Sequence, residues 1–364
     1  MAKVVCFGEV MLRLATDGFQ RFPQTLPGHL AATFGGAEAN VASSLSILGE
    51  ESQFVGAVPD SAIGTACVAY LQGLGINVDA VARVPHARLG IYFLETGANQ
   101  RASTVIYDRE RTAFSQRGPE AWDWAQILTG ADWFHTTGIT PAVSQEAAQS
   151  TIAAVQAARS RGIPVSFDLN FRKKLWNWGD GPTGRDLARA TVAEILPYVD
   201  VLIGNESDAE DTLGISAEGT DVEAGTLDVE RYETVAAQII ATYSQIKYVA
   251  ITLRESVSAT HNRWGAMLYD ANAAKSYLAP TVDGEYTPYE ITSIVDRVGA
   301  GDSFGAALIT ALRDESRVDD PQKVLDFAVA ASALAHSIPG DVNYATRQEV
   351  EALAAGAKSG RVQR

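Results

Sequence analysis

Short continuous apolar runs recur along the chain and alternate with segments of helical periodicity. The apolar runs lie at residues 4–7, 54–58, 132–135, 164–167, 201–203 and 248–253. Runs of this kind are typical of strands buried on both faces, as in a parallel sheet. The helical segments lie at residues 41–48, 66–74, 147–161, 187–196 and 235–243. The alternation predicts a doubly wound α/β fold, with ligands at the carboxyl ends of the strands.

Two stretches interrupt this alternation. Residues 12–34 contain Pro23, Pro27 and Gly28 and have no sustained period, so we expect a loop. Residues 88–114 are rich in β-formers around the turn at 97–99, which predicts a hairpin with strands at 89–95 and 102–107. An inserted hairpin favours a small antiparallel lid that excludes water, and an edge extension or oligomer contact is the alternative.

The sequence therefore divides into two predicted parts. The large α/β domain comprises residues 1–11, 35–87 and 115–364, and the β lid comprises residues 12–34 and 88–114. Within the large domain, residues 213–233 hold many acids and glycines and are predicted to form a solvated insertion. Residues 263–270 and 275–279 are predicted to be late antiparallel edge strands.

Charge and composition narrow the class of function. Lys and Arg total 29 against 44 for Asp and Glu, and the net charge of −15 argues against binding to nucleic acid or an anionic membrane surface. The N-terminus has no signal-peptide pattern, and no apolar run reaches membrane-spanning length. Cys6 and Cys67 form no C-x-x-C pair and are expected to be buried free thiols. These features predict a soluble cytoplasmic protein.

A glycine-rich segment late in the chain, residues 296–305, is the strongest candidate for chemistry. It reads Asp-Arg-Val-Gly-Ala-Gly-Asp-Ser-Phe-Gly and lies between a β-branched segment, 292–295, and a helical pattern. Gly299 and Gly301 at a strand-to-helix turn allow consecutive N–H groups to point at one anion such as a phosphate. Asp302 in the first helical turn would stay within reach of that anion. A plain turn with an Asp cap is the alternative.

A second glycine segment, residues 35–42, reads Gly-Gly-Ala-Glu-Ala-Asn-Val-Ala and precedes a helix whose first turn is expected to expose Glu38 and Asn40. The two segments together resemble the PfkB-type carbohydrate kinases of the ribokinase-like superfamily, which carry G-G-x-x-x-N-x-A early and D-x-x-G-A-G-D-x-F late. The resemblance implies a three-layer αβα ribokinase-like fold with a small β-sheet lid, and transfer of the ATP γ-phosphate to a sugar hydroxyl.

The same resemblance implies roles for the late segment. Asp302 is the implied catalytic base, and Gly299, Ala300 and Gly301 are the implied N–H donors to the transferring phosphoryl group. A monovalent-cation site is left open, because Arg297 and Val298 stand where many relatives have threonines.

Asn205 and Glu206 follow the predicted strand at 201–203 and resemble the family's Asn/Glu motif for Mg²⁺ and its water shell. The resemblance implies that Asn205 contacts the nucleotide and that Glu206 holds Mg²⁺ through water. An acidic helix start is the alternative. Arg254 matches a basic residue that relatives place over the nucleotide at a strand end, although the glycine that usually follows is missing.

Residues 168–176, Asp-Leu-Asn-Phe-Arg-Lys-Lys-Leu-Trp, contain an arginine suited to a bidentate grip on a carboxylate, Arg172. This segment, residues 35–40 and residues 8–14 resemble the 2-keto-3-deoxygluconate kinases among the PfkB-type enzymes. The implied acceptor is the terminal C6 hydroxyl of that sugar acid, and fructose or ribose is the alternative. The implied substrate-binding residues are Gly36, Tyr92, Tyr107, Arg109 and Arg172. Cross-strand packing is the alternative role for the two tyrosines.

Two other functional classes share features with this sequence. A dinucleotide-dependent dehydrogenase is suggested by the spacing of Gly299, Gly301 and Gly305, but such a loop should follow the first strand of a βαβ unit. A sugar-binding relative without turnover has no use for a positioned base such as Asp302. The expected partners are therefore a sugar acid and ATP, and the strand edges of the lid offer a surface for a homo-oligomer.

Overall fold

The computed structural model describes residues 2–179, 183–205, 207–215 and 229–357, with only the backbone at 229 and 230. Ten strands of this part of the chain form one large sheet. They are β1 Lys3–Phe7, β4 Ser52–Pro59, β5 Val81–Val84, β8 Ala131–Thr137, β9 Val165–Asp168, β10 Val201–Asn205, β11 Tyr248–Ser258, β12 His261–Asp270, β13 Lys275–Ala279 and β16 Tyr289–Ile291. Four more strands, β2 Met11–Ala15, β3 Ala31–Gly35, β6 Gly90–Glu95 and β7 Thr104–Asp108, form a small sheet.

Most helices of the described ranges lie between strands along the chain, and the last three follow the final strand. The helices are α1 Phe22–Thr25, α2 Ala37–Ile47, α3 Ala62–Gly73, α4 Trp124–Ile127, α5 Ile139–Ala142, α6 Gln145–Ser160, α7 Gly184–Ile195, α8 Asp208–Leu213, α9 Val229–Thr242, α10 Ala300–Arg313, α11 Pro321–Ala335 and α12 Arg347–Ala354. Short 3₁₀ turns occupy Pro119–Ala121 and Leu196–Tyr198, and a two-stranded hairpin pairs β14 Thr281–Val282 with β15 Glu285–Tyr286.

In the large sheet, the first strand of the chain lies between the next strands of that sheet on one side and the later strands on the other. The order is β13-β12-β11-β10-β9-β8-β1-β4-β5, with β16 paired to β12. All pairings from β5 through β11 are parallel, whereas β12 pairs antiparallel with β11, β13 and β16. The order reverses at β1, and in doubly wound sheets the carboxyl end of such a switch point is where ligands bind.

Helices cover both faces of the large sheet. Side chains alternate along a strand, and on β1 Val4 and Cys6 belong to one buried cluster while Val5 and Phe7 belong to another. The first cluster includes α2, α10 and α11, and the second includes α6, α7 and α9. The chain thus forms three layers, and the predicted αβα architecture is confirmed.

The small sheet has the strand order β3-β2-β6-β7. The hairpin predicted at 88–114 is confirmed, because β6 and β7 pair antiparallel and place Tyr92 opposite Tyr107. The expectation that residues 12–34 form only a loop is wrong at its two ends, where β2 and β3 pair with each other. The division into a large domain and a lid, and pairing of two copies through the lid edges, stay predictions.

Three other expectations meet different outcomes. Residues 292–295 are not a strand, because the N–H groups of Ile294 and Val295 bond to the carbonyl oxygens of Thr260 and His336 instead of a ladder partner. The insertion predicted at 213–233 lies mostly outside the described residues. The two late antiparallel strands are confirmed as β12 and β13, but only β13 lies at the sheet edge, because β12 pairs with β11 on one side and β13 on the other.

Both cysteines are buried free thiols, as predicted. Burial raises the pKa of the Cys67 thiol to about 12, so it is protonated at neutral pH. Among the helices of the described ranges, none combines the length and apolar character that a bilayer crossing requires.

Candidate active site

A cleft of about 440 Å³ opens at the carboxyl ends of the parallel strands. Glu9 follows β1, while Asp168 and Asn205 end β9 and β10, and all three line the cleft. The small sheet closes one side with Tyr92 and Tyr107. The volume lies in the range of about 300–1,000 Å³ that is usual for small-molecule sites.

The glycine loop, residues 296–302, forms one end of this cleft. Gly299 caps α10 with φ +84°, and a Cβ there would lie 2.0 Å from the carbonyl oxygen of Asp341, so only glycine fits. The first helical bond runs from the Ser303 N–H to the Gly299 oxygen, at 2.8 Å. The N–H groups of Ala300, Gly301 and Asp302 precede it and have no intrahelical acceptor. They lie at the positive end of a 14-residue helix, where an anion is favoured.

Asp302 lies beside these N–H groups with part of its surface open to the cleft. The Asn40 side chain donates to its Oδ2 at 2.7 Å. Burial raises the pKa of Asp302 to about 7, with Asp341 and Glu38 raising it further against the Asn40 hydrogen bond and Arg172. A carboxylate with a pKa near neutrality is suited to act as a general base at physiological pH.

The early glycine segment meets the glycine loop through Asn40. Its Oδ1 accepts from the Gly36 N–H at 3.2 Å, which leaves the amide nitrogen directed at Asp302. Glycine is required at Gly36, because a Cβ there would lie 2.1 Å from the carbonyl oxygen of Glu9. The sequence predicted only that the two glycine segments share a site. In the structure they are in contact, because Asn40 hydrogen-bonds to both Gly36 and the candidate base Asp302.

The expectation that the first turn of α2 exposes Glu38 and Asn40 is wrong. Both side chains are buried, because α2 packs between the large sheet and α10. Glu38 Oε1 accepts hydrogen bonds from Thr137 and Thr140 at 2.7–3.0 Å. Burial raises the pKa of Glu38 despite these bonds.

At the other end of the cleft, the two tyrosines of the small sheet face inward. The rings of Tyr92 and Tyr107 lie 6.4 Å apart on paired strands. The hydroxyl of Tyr92 donates to the carboxylate of Asp341. Tyr92 is therefore held both by ring packing and by a hydrogen bond, whereas the side chain of Tyr107 is half-buried.

Arg109 lines the cleft but is already paired. Its guanidinium bonds to Glu9 Oε2 from Nη2 at 2.6 Å and from Nε at 3.0 Å, and both side chains are buried. It also lies 5.7 Å from the Tyr107 ring centroid. The structure thus brings Arg109 to the cleft wall and gives it a protein carboxylate as its partner.

Arg172 differs from Arg109 in both its exposure and its pairing. It follows β9 and is exposed on the cleft wall, and its guanidinium forms no hydrogen bond or ion pair within the part of the chain that the structure describes. Burial raises the pKa of Asp168 well above its ordinary value, Asp208 and Asp302 add to this, and Arg172 opposes it. Arg172 is therefore a cationic group available to an anionic ligand.

Comparison with known proteins decides the family. The model of the pfkB family of carbohydrate kinases matches residues 1–346. The chain belongs to this family. It is therefore a carbohydrate kinase that binds a sugar and ATP, and the enzymes of the pfkB family use ATP with Mg²⁺.

Relatives of this pfkB-family kinase carry related names. It is 42% identical to the solved 2-dehydro-3-deoxygluconokinase of Thermotoga maritima, with a TM-score of 0.87 over 98% of this chain and 100% of that one. It is 29% identical to a 2-dehydro-3-deoxygalactonokinase of Haloferax volcanii, over 99% of this chain and 98% of the relative. It is 28% identical to a 2-dehydro-3-deoxygluconokinase of Thermoproteus tenax, over 94% and 90%.

The nucleotide residues predicted for the kinase lie at the glycine-loop end. Asn205 and Arg254 both line the cleft, and the Asn205 side-chain oxygen accepts from the Ser207 and Asp208 N–H groups. Glu206, predicted to hold Mg²⁺, lies outside the described residues. Arg254 does not end its strand as expected, because β11 continues to Ser258 and turns directly into β12.

This longer hairpin explains the missing glycine turn. The Ala259 N–H at its tip donates to the Asn99 carbonyl oxygen at 2.7 Å, so the hairpin reaches the turn of the small sheet. Arg297 of the glycine loop donates to the Ser258 carbonyl oxygen and to the Asn262 side-chain oxygen beside it. The hairpin thus connects the small sheet to the glycine loop.

Sequence reasoning missed a buried network at the base of the cleft. Arg13 on β2 donates to both Asp296 and Asp341. Residue 13 falls in the segment 8–14 used for the resemblance, but no local pattern pairs it with residue 341, which lies 328 positions away.

Proposed function

We propose that this kinase transfers the ATP γ-phosphate to the terminal C6 hydroxyl of 2-keto-3-deoxygluconate. The observation that carries the proposal is the Arg172 guanidinium, which has no partner among the described residues and lines the same cleft as the glycine loop and Asp302. Arginine binds carboxylates in bidentate geometry, and a sugar acid supplies that carboxylate. The names of the three relatives support a 2-keto-3-deoxy sugar acid.

The proposed reaction is an in-line displacement. Gly36, Tyr92, Tyr107 and Arg172 bind the sugar acid, with Arg109 holding the cleft wall through Glu9. The substrate hydroxyl loses its proton to Asp302, and its oxygen forms a bond to the γ-phosphorus. The bond from that phosphorus to the bridging oxygen breaks, and ADP leaves with the electron pair.

The glycine loop supplies the charge stabilisation. The N–H groups of Gly299, Ala300 and Gly301 are assigned to the equatorial oxygens of the transferring group, at the positive end of α10. Asn205 and Arg254 are assigned to the nucleotide, because both line the same end of the cleft.

Mg²⁺ fits the donor chemistry of this end of the cleft, which carries the carboxylates of Asp168 and Asp208. Among the described residues, no group of three or more His, Cys, Asp or Glu side chains is placed to hold a metal alone. Mg²⁺ commonly needs only one protein carboxylate together with phosphates and water, and Glu206 is the assigned residue. When bound, the ion neutralises charge on the β- and γ-phosphates.

A second candidate substrate is 2-keto-3-deoxygalactonate, which the name of the Haloferax volcanii relative favours. The two sugar acids differ in the orientation of one hydroxyl. They share the carboxylate that Arg172 would bind, so the same cleft suits both.

A coupled kinase assay over both sugar acids, fructose and ribose tests the proposal. We expect the sugar acids to be preferred in kcat/KM by about 100-fold, the scale of losing one charged hydrogen-bonded pair. Phosphorus-coupled NMR of the product should place the phosphate on the terminal carbon. Comparable kcat/KM on fructose or ribose would contradict the sugar-acid assignment while leaving the kinase assignment intact.

A further inference from the structure

The buried network around Arg13 connects three separate parts of the chain. Arg13 lies on β2 of the small sheet and forms ion pairs with Asp296 and Asp341, and all three side chains are at most 6% exposed. Burial alone would lower the pKa of the Arg13 guanidinium, but Asp341 and Asp296 outweigh it and raise the pKa. The guanidinium is therefore charged and bonded to two carboxylates at once.

One of the two acidic residues belongs to the glycine loop, and the backbone of the other packs against it. Asp296 is its first residue, and its Oδ1 accepts from the N–H groups of Arg297 and Val298 at 2.8 and 3.1 Å. The carbonyl oxygen of Asp341 lies against Gly299, at 2.0 Å from where a Cβ would be. A displacement of either carboxylate would move the backbone that presents the N–H groups at the start of α10.

The network also reaches the sugar end of the cleft. Asp341 accepts from the hydroxyl of Tyr92 as well as from Arg13, so two strands of the small sheet, β2 and β6, are held to one carboxylate. The placement of the small sheet and the placement of the glycine loop thus depend on the same three side chains.

The network also sets the charge near Asp302. One guanidinium neutralises only one of two carboxylates, and the charge of Asp341 raises the pKa of Asp302. The other charged groups that face Asp302 are Glu38 on α2, Asp168 at the end of β9, and Arg172 beyond that strand. Loss of the Arg13 charge would leave a second negative charge beside the base.

We propose that Arg13 is a positioning residue for phosphoryl transfer, which aligns the glycine loop with the small sheet through Asp296 and Asp341 and limits the negative charge beside Asp302. The proposal rests on the proposed role of Asp302 as base. Arg13 lies outside the lining of the cleft, so its effect on the reaction passes through its two partners.

Two substitutions separate the geometric role from the charge role. Arg13→Lys keeps the charge, but its compact ammonium cannot present a planar fork to two carboxylates. We expect kcat to fall about 10-fold, since a small misplacement of reacting groups is costly. We expect no shift in the acid limb, which is the part of the pH profile of kcat/KM where activity falls as Asp302 is protonated. Arg13→Met removes both functions. We expect kcat to fall by about 100-fold and the acid limb to move up by roughly half to one pH unit.

Arg313→Met is the matched control. Arg313 also bridges two carboxylates, Glu50 and Asp132, but at the far end of α10 from Asp302. We expect its melting temperature to fall as in the Arg13 variants, with kcat and the acid limb unchanged. If Arg13→Met does not fold, the kcat of Arg13→Lys decides the question.

A purely structural role would give a different pattern. Wild-type kcat in Arg13→Lys, or an unmoved acid limb in folded Arg13→Met, would overturn the proposal. Asp302→Asn, measured in parallel, separates the hypothesis that Asp302 is the base from the hypothesis that Arg13 positions the glycine loop. Near-normal turnover in Asp302→Asn would refute the first hypothesis, and the kcat of the Arg13 variants would still test the second.

Discussion

At the glycine-loop end of the cleft, the groups assigned to phosphoryl transfer come from one short stretch of chain, residues 299–302, and most of them are backbone N–H groups. In the part of the cleft assigned to the sugar, the groups come from four separate segments: the side chains of Tyr92, Tyr107 and Arg172, and the residue Gly36. The first end is fixed by one helix terminus. The second depends on how distant side chains pair.

The difference is clearest for the two arginines expected to bind a carboxylate. Arg109 bonds to Glu9 in a buried pair, whereas Arg172 has no partner among the described residues. Residue type predicted the same role for both. Only the tertiary pairing shows which one is available to a ligand.

The largest expected effect is at the glycine-loop end. Asp302→Asn removes the proton acceptor but keeps the shape, so we expect kcat to fall by about 10³-fold. A coupled assay measures kcat, and calorimetric titration of the sugar acid should give an affinity close to that of the wild type. The exposed Asp319→Asn serves as control and should keep full activity. Turnover within about tenfold of wild type in Asp302→Asn would rule out the assigned base.

A second prediction contrasts the two arginines by stability. Arg109→Met leaves Glu9 buried without its cation and should lower the free energy of unfolding by about 3–5 kcal/mol. The exposed Arg172→Met should change it by less than about 0.5 kcal/mol. Urea unfolding measures both, and Glu9→Gln added to Arg109→Met should recover part of the loss. Equal losses in the two single variants would show that the arginines do not differ as described.

A third prediction concerns the two glycines at the start of α10. Gly299→Ala must adopt φ +84° and clash with the Asp341 backbone, so it should cost more than about 2 kcal/mol of unfolding free energy. Gly301→Ala meets no atom within 4 Å and should leave stability unchanged or slightly higher. Its methyl group would nevertheless fill the space assigned to the phosphoryl group and lower kcat about 10-fold. Wild-type kcat in Gly301→Ala would show that the anion does not bind beside Gly301.

The central sheet was predictable because its buried parallel strands are continuous apolar runs. The strands at residues 12–34 were not, since β3 reads Ala-Ala-Thr-Phe-Gly and most of it is exposed. It is held by pairing with β2 rather than by its own burial pattern. Residues 292–295 show the reverse, because β-branched side chains there occupy an irregular segment bonded to Thr260 and His336.

The same limit applies to the site. The position of the glycine loop at the start of a helix was predictable, because its motif is contiguous in sequence and its geometry follows from the glycines and the helix start. The pairing of Arg13 with Asp341 was not, because it joins residues 328 positions apart. Asn40 was identified as polar but expected at the surface, and its contact with Asp302 depends on the packing of α2 against α10.

The availability of Arg172 to a substrate carboxylate is the central claim, and one comparison tests it most directly. The kcat/KM for 2-keto-3-deoxygluconate is measured against that for its neutral carboxamide, in the wild type and in Arg172→Ala. We predict that the wild type prefers the carboxylate by about 30- to 100-fold, the scale of a charged hydrogen-bonded pair, and that Arg172→Ala loses this preference. An unchanged preference in Arg172→Ala would contradict the claim.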